Sequence, residues 1–344
     1  MAEVTPLMKA IVQTEYGGSD VLKFMEVPKP TPGPRDILVK NHAVATNPVD
    51  AKARDGRKGG SIQGYKIVGF DAAGIVEAIG SEVQHYKVGD HVFYAGSLGR
   101  QGAYAEYTIV DERLVGRKPN NLTWEESAAV PLTGITAWEA IQEQLHIARP
   151  LGNETNAHKV LLISNGAGGA GSMAIQVAKK VFKLTVIATA SRPETVEFCK
   201  KLGADYVVDY KGDIEAQLKN LGFQGVDYIL ECSGLDPYFD TWCKILNPLG
   251  SICAIVEPQN PLPIGNLMRK RGTLTFEMMF ARPLTGIELD RQRAILHELA
   301  DLCEAKVIVP RVTVRYDSLL RLKEAADLQE SGKSLGKIVL TVAF

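Results

Sequence analysis

The sequence predicts an α/β chain in two parts, an irregular and mostly antiparallel β unit and a doubly wound parallel sheet. The first observation behind this is local. Val160-Leu161-Leu162-Ile163-Ser164 reads as a buried strand and runs straight into Gly166-x-Gly168-x-x-Gly171. A helical spacing of apolar residues follows at Ala174, Ile175, Ala178, Val181 and Phe182. The second observation is rhythm. Before about Val115, short strand-like runs are separated by Gly and Pro; after about Thr123, strands alternate with helical patterns. A length of 344 residues fits about two domains of ~150 residues each.

In chain order, Lys9–Gln13, Asp36–Ala45, Ile67–Ile79, His91–Phe93 and Tyr104–Ile109 are the expected strands of the first part. Turns are marked by Gly17-Gly18, Pro28, Pro30 and Pro32-Gly33-Pro34. Thr123 is expected to N-cap a helix, with Glu125 and Glu126 in its first turn, and Ala137–Leu145 reads as another helix. Thr185–Ala190 then leads into a helix with Ser191 as expected N-cap and Pro193 in its first turn. Further strands are expected at Tyr206–Asp209, Asp227–Cys232, Ser251–Val256 and Thr273–Phe280. The tail reads as a helix over Glu288–Ala305, a strand over Val307–Val314, a short amphipathic helix near Ser318–Leu328 and a strand at Lys337–Val342. Those tail strands lie outside the alternation and are assigned to the first domain. The expected domains are therefore 1–128 with 283–344, and 129–282.

The glycines carry the first chemistry. In a strand–turn–helix context, Gly166 permits the tight turn, Gly168 lets backbone approach a pyrophosphate, and Gly171 lets helix pack close on strand. The N-terminus of the helix that follows offers free N–H groups and a positive dipole end to the phosphates. A dinucleotide site is expected here. The next strand ends Thr189-Ala190-Ser191-Arg192, without the acidic residue that would hold the ribose hydroxyls of NAD. Arg192 can fork to a 2′-phosphate and Ser191 can donate to it, so NADPH is the expected cofactor; Glu194 opposes this mildly.

Composition narrows the remaining classes. Lys and Arg total 39 against 40 Asp and Glu, with no basic stripe, so nucleic acid is not an expected main ligand. No window approaches the ~18 apolar residues of a membrane span. Met1–Val12 has one lysine and no continuous apolar run, so no secretory leader is expected and the cytoplasm is the expected compartment. The five cysteines (Cys199, Cys232, Cys243, Cys253, Cys303) have no metal-site spacing and read as free thiols. The six histidines show neither metal-site spacing nor a neighbouring nucleophile signature.

The chain also resembles a family. Glu15-Tyr16-Gly17-Gly18-Ser19-Asp20-Val21-Leu22, Asn47-Pro48-Val49-Asp50-x-Lys52-x-Arg54-x-Gly56 and Gly69-Phe70-Asp71-x-Ala73-Gly74 carry the resemblance through the first part. Pro131-Leu132-Thr133-Gly134-x-Thr136-Ala137, Leu202-Gly203-Ala204-Asp205 and Gly336-Lys337-Ile338-Val339-Leu340 continue it. Together they resemble the medium-chain dehydrogenase/reductases, in particular the quinone oxidoreductase (zeta-crystallin-like) branch and its zinc-type alcohol-dehydrogenase-like members that lack zinc. The resemblance implies a GroES-like β domain, a Rossmann domain and an active-site cleft between them.

Zinc-using relatives place a cysteine, a histidine and a cysteine at positions corresponding to Asn47, Phe70 and Leu132. Phenylalanine and leucine offer no ligand atom, so no metal is expected. The resemblance then implies a zinc-free reductase of quinones or α,β-unsaturated carbonyls. Lys52 and Tyr94 are the expected donors to the oxygen that gains charge, with Asn47 orienting substrate. Lysine stands at the place of Lys52 in some enone-reducing relatives, and tyrosine in other quinone reductases. On the cofactor side the resemblance adds Thr133 and Thr136 near nicotinamide and phosphate, Tyr210 near the 2′-phosphate, Ser233 near the adenosine ribose, and Lys337 toward phosphate. Thr195 stands where that branch usually has a lysine. A homodimer through the edge near Thr273–Phe280 is the implied assembly. Some relatives of this type are instead cofactor-gated binding proteins, RNA-binding or structural.

Overall fold

The structure is a computed structural model and describes residues 6–56, 60–152 and 154–344. Residues 1–5 of the stretch read above for a secretory leader lie outside the described residues. By its internal contacts the chain divides into Met1–Leu132 with Phe280–Phe344, and Thr133–Met279.

In the first unit, β1 (Leu7–Val12) and β2 (Lys23–Pro28) form a small antiparallel sheet. A larger sheet begins with β3 (Asp36–Ala45), β4 (Asp71–Ile79), β5 (His91–Tyr94), β6 (Tyr107–Asp111) and β7 (Val115–Arg117). Helix α1 (Pro48–Asp55) follows β3. The strand expected from Ile67 begins only at Asp71, because Gly69 takes φ +92° and breaks the extended run. Helix α2 (Trp124–Ala128) starts as expected at Thr123, whose Oγ1 accepts the Glu126 N–H at 3.2 Å while the Glu126 carboxylate accepts the Thr123 N–H at 3.0 Å.

The second unit opens within α3 (Pro131–Trp138), which continues as a π-helical turn over Glu139–Gln144. It then alternates β8 (Val160–Ile163), α4 (Gly169–Gln176), β9 (Thr185–Thr189), α5 (Pro193–Leu202) and β10 (Tyr206–Val208). The alternation continues through α6 (Ile214–Asn220), β11 (Val226–Glu231), α7 (Phe239–Ile245), β12 (Leu246–Ala254), α8 (Gly265–Arg269) and β13 (Thr273–Phe276). All six strands are parallel, in the order β10-β9-β8-β11-β12-β13. Ile187, Leu162, Ile229 and Ile252 lie in register across four of them, each fully buried. Continuous apolar strands are what a sheet covered on both faces requires. The last strand stops at Phe276, four residues short of the expected end.

The chain then returns to the first unit through α9 (Ala281–Thr285), α10 (Leu289–Glu304), β14 (Val312–Tyr316), α11 (Leu322–Glu330) and β15 (Lys337–Thr341). The large sheet runs β14-β15-β3-β4-β5-β7, with β6 also on β3. β3 is its hub. The N-terminal half of β3 pairs with β6, its C-terminal end with β15, and its other edge with β4 along its length. That hub fixes which residues meet at the end of β3.

Candidate active site

In the second unit, β8 ends at Ile163 and the chain turns through Asn165, at φ +50°, into α4. The turn is tied to β9: Asn165 N–H reaches Thr189 Oγ1 at 3.0 Å, and Gly166 N–H reaches the Thr189 carbonyl at 3.1 Å. A Cβ on Gly171 would lie 2.3 Å from the Asn165 carbonyl, and one on Gly166 would lie 2.8 Å from Ala188 Cβ. Only glycine fits at either point. Gly168 caps α4, so Gly169, Ala170 and Gly171 form the first turn, where N–H groups have no acceptor within the helix.

The parallel sheet brings the other candidates to the same edge. Ser191 and Arg192 follow β9, Tyr210 follows β10 and Ser233 follows β11, each at a strand's carboxyl end. The strand order reverses between β8 and β11, where ligands of open α/β sheets bind. Thr133 and Thr136 sit in α3, both buried.

Three details depart from the sequence reading. The cap of α5 is Arg192 rather than Ser191, because Pro193 takes the first helical position and Thr195 Oγ1 meets the Arg192 N–H at 3.1 Å. Arg192 Nε pairs with Glu194 at 2.9 Å, so the opposing acid engages the arginine directly. The turn after β11 is built around Glu231, a residue sequence reasoning missed. Its fully buried carboxylate accepts from Ser233 N–H (2.5 Å), Ser233 Oγ (2.6 Å), Gly234 N–H (2.8 Å) and Trp242 Nε1 (2.6 Å). Two of these bonds hold Ser233 itself, and the other two hold Gly234 and Trp242 around the same carboxylate. An acid ending the apolar run Tyr228-Ile229-Leu230 was the available signal.

In the first unit, register assembles a buried polar core. Ala45 stands opposite Asp71 of β4 and opposite Val339 of β15. Two residues further along antiparallel strands, Asn47 therefore falls opposite Lys337. Lys337 Nζ donates to Asn47 Oδ1 at 2.6 Å, Asp71 Oδ2 at 2.8 Å and the Thr46 carbonyl at 3.0 Å. Asn47 Nδ2 donates to Asp71 Oδ2 at 2.9 Å, and Asp71 Oδ1 accepts the Leu132 N–H at 2.7 Å. The Lys337 side chain is 5% exposed and that of Asp71 not at all.

Beside it, Asp50 Oδ2 accepts the Asn47 N–H at 2.7 Å and the Tyr104 hydroxyl at 2.6 Å, while Asp50 Oδ1 is buried without a partner. Burial pushes the Asp50 carboxyl up to about 7, against the lowering effect of the Tyr104 hydrogen bond and the Asn47 N–H.

These contacts revise three expectations. Lys337 does not extend toward phosphate; its three donors are all engaged inside this unit. Asn47, expected to orient substrate, has its amide engaged between Lys337 and Asp71 and is 2% exposed. Tyr94, expected as a donor to substrate, has its hydroxyl engaged within the sheet. It is fully buried, its hydroxyl donates to Asn41 Oδ1 at 2.7 Å, and burial holds that hydroxyl neutral. Lys52 is different. α1 turns Asp50 and Arg54 inward, which leaves Lys52 exposed on the outward side of the helix.

Residues 169–285 match the family described as zinc-binding dehydrogenase, and residues 33–120 the alcohol dehydrogenase GroES-like domain. A zinc-type alcohol dehydrogenase-like protein of Staphylococcus aureus is 40% identical over 326 residues, covering 94% of this chain and 96% of its own. The chain belongs to the medium-chain dehydrogenase/reductase superfamily.

Two further superfamily members sharpen the comparison. The chloroplastic NADPH-dependent alkenal/one oxidoreductase of Arabidopsis thaliana is 38% identical over 269 residues, 76% of this chain and 65% of that protein. The quinone oxidoreductase structure from Coxiella burnetii superposes with a TM-score of 0.80 at 27% identity, covering 98% of this chain and 100% of that one. Membership makes the protein an oxidoreductase with a nicotinamide cofactor.

The zinc that the family name implies does not fit this chain. The Phe70 ring packs on Phe280 at 5.0 Å, Leu132 offers only its backbone N–H to Asp71, and Asn47 Oδ1 is bonded to an ammonium. Among the described residues no group of three or more His, Cys, Asp or Glu converges to hold a metal. The nicotinamide dinucleotide does fit, through the turn in which only glycine is tolerated at positions 166 and 171. Among the described residues no helix is long and apolar enough to cross a membrane.

Proposed function

We propose that this protein is an NADPH-dependent reductase of α,β-unsaturated carbonyls or quinones, working without a metal. The observation that carries the proposal is the set at Asn47, Phe70 and Leu132: the ring and the aliphatic side chain have no ligand atom for zinc, and the Asn47 amide oxygen is already bonded to the Lys337 ammonium. Oxidising a simple alcohol requires its hydroxyl to be ionised, the task a Lewis-acidic metal performs. A conjugated carbonyl or quinone accepts hydride without that help, because the arriving charge spreads onto oxygen. The name of the Arabidopsis relative, NADPH-dependent alkenal/one oxidoreductase, supports the conjugated carbonyl as the leading substrate class.

The nicotinamide cofactor, when bound, supplies the hydride. Backbone N–H groups of Gly169, Ala170 and Gly171 meet its pyrophosphate, with Gly166 and Gly168 clearing the approach. Ser191, Arg192 and Tyr210 take the 2′-phosphate end, Ser233 the adenosine ribose, and Thr133 and Thr136 the nicotinamide end. Lys52 is the donor to the substrate oxygen that gains charge, and a proton source for the product. The β13 edge pairs only with β12 among the described strands, and Phe276 and Met278 beside it are exposed. That supports a homodimer in which the second copy covers this edge.

The test follows NADPH oxidation by EDTA-dialysed protein with a short 2-enone and an ortho-quinone in parallel. Enone turnover indifferent to EDTA is the expected outcome, and the quinone rate decides how broad the substrate class is. Tight NADPH binding with no turnover of either compound would overturn the reductase reading in favour of a cofactor-gated binding protein.

A further inference from the structure

We propose that Lys337 is the resident cation of this site and a positioning residue for it: its ammonium, caged by Asn47, Asp71 and the Thr46 carbonyl, holds in place the groups that lead into α1 and α3. The argument starts with the cage. Three oxygens of different origin (a backbone carbonyl, an amide oxygen and a carboxylate) converge on Nζ at 3.0, 2.6 and 2.8 Å. An ammonium has three donors and no acceptor, so three oxygens satisfy it completely. The contacts also fix the amide of Asn47, with Oδ1 toward the cation and Nδ2 toward the carboxylate.

The chain invests backbone in delivering this lysine. Gly336 adopts φ +55°, and a Cβ there would lie 2.3 Å from the Arg311 carbonyl, so only glycine lets the chain turn into β15 at this point. The Lys337 N–H is then anchored on that same carbonyl at 2.9 Å. Lysine and aspartate each stand at the head of a strand whose next three residues are small or apolar, and both are more than nine-tenths buried.

The cation acts through what it holds. Through Asn47 it sets the start of α1, the helix that carries Lys52; through Asp71 it sets the Leu132 N–H in the first turn of α3. Lys337 is thus a positioning residue. Its effect on turnover rests on the reductase reading, whereas its cage does not.

The experiment is cation rescue of Lys337→Ala. The truncation removes the ammonium and leaves three oxygens facing a space open to a small alkylammonium. Thermal melting of wild type and variant is measured in ethylammonium chloride and in equimolar tetramethylammonium chloride, whose cation has no N–H to donate. Wild type should respond to neither beyond the common effect of salt. The variant should melt several degrees lower and regain most of that shift in ethylammonium alone. Asp71→Asn/Lys337→Met, which removes both charges, should show no such selectivity. Equal responses of Lys337→Ala to both salts, or none to either, would overturn the proposal. If the variant is recovered only unfolded, refolding in ethylammonium but not in tetramethylammonium supports the cage, and failure in both overturns it.

Enone turnover of the folded variant gives the second readout. Its kcat should fall about tenfold with KM for NADPH unchanged, and should recover in ethylammonium. Absence of turnover in wild type sinks the reductase reading and leaves the melting result standing. An active wild type whose variant ignores ethylammonium sinks the resident cation alone.

Discussion

The glycine-rich turn of the second unit and the Asn47–Asp71–Lys337 core of the first both hold charge in a fixed place, by opposite means. The turn does it with backbone: Gly166 and Gly171 clear space, and the first-turn N–H groups of α4 offer a positive end to the phosphates of the cofactor proposed for it. The core does it with side chains that never leave, a lysine and an aspartate sealed among strand ends. A site for an exchanging ligand needs unsatisfied donors, and a permanent one needs every donor satisfied. The difference predicts where damage appears: in ligand affinity at the turn, in folding at the core.

The largest effect expected is at the core. Asp71→Ala leaves the Lys337 ammonium buried without its carboxylate, and breaking a buried pair in this way costs about 3–5 kcal/mol. Chemical denaturation should show that loss with or without NADPH present. A variant as stable as wild type would break the comparison, since the core would then be neither sealed nor dry. Gly171→Ala comes next. Its Cβ meets a backbone carbonyl at 2.3 Å, so the turn must shift, at roughly 2–3 kcal/mol, or about a hundredfold in NADPH affinity by fluorescence titration. A loss confined to stability, with affinity intact, would place the cofactor elsewhere.

The same contrast explains what the sequence disclosed. The turn is written in consecutive residues, strand, glycines and helix, so its geometry is local and legible. So was the alternation that builds the parallel sheet, and the tail strand Lys337–Thr341 that returns to β3. The core joins residues 47, 71, 132 and 337, and only the register of β3 with β4 and β15 reveals that they meet. Lys337 was therefore read as reaching phosphate and Asn47 as facing substrate, each plausible for an isolated polar residue. The bond that engages Tyr94 was hidden for a related reason: a tyrosine next to a short strand gives no sign of which side of the sheet it enters, and Asn41, its partner, lies 53 residues away.

Asp50 offers a pH test of the sealed core. Its folded carboxyl titrates at about 7 against an ordinary value of 3.8, because burial disfavours the charge. Between about pH 4 and 7 the folded state thus binds a proton that the unfolded state has released. Stability contributed by Asp50 is fully present below about pH 4 and is lost as pH rises through 7, by at most about 1.4 kcal/mol per pH unit. Denaturation midpoints of wild type and Asp50→Asn across this range should differ in slope in that direction. Parallel profiles would mean that water reaches Asp50 Oδ1 and the core is not sealed there.

The smallest effect belongs to Arg192, at the exposed rim of the turn. Its pair with Glu194 joins two half-exposed groups and contributes at most about 1 kcal/mol, so a phosphate can compete for the guanidinium. Arg192→Ala should weaken NADPH binding about fivefold and leave NADH binding unchanged, because only NADPH carries the 2′-phosphate. Glu194→Gln should move the preference the other way, by about twofold, as the arginine loses its internal partner. Calorimetric titration of both cofactors against both variants separates the possibilities. If the two cofactors shift together in Arg192→Ala, the arginine serves the helix start rather than the phosphate, and the absence of an acid after β9 stops being evidence for NADPH.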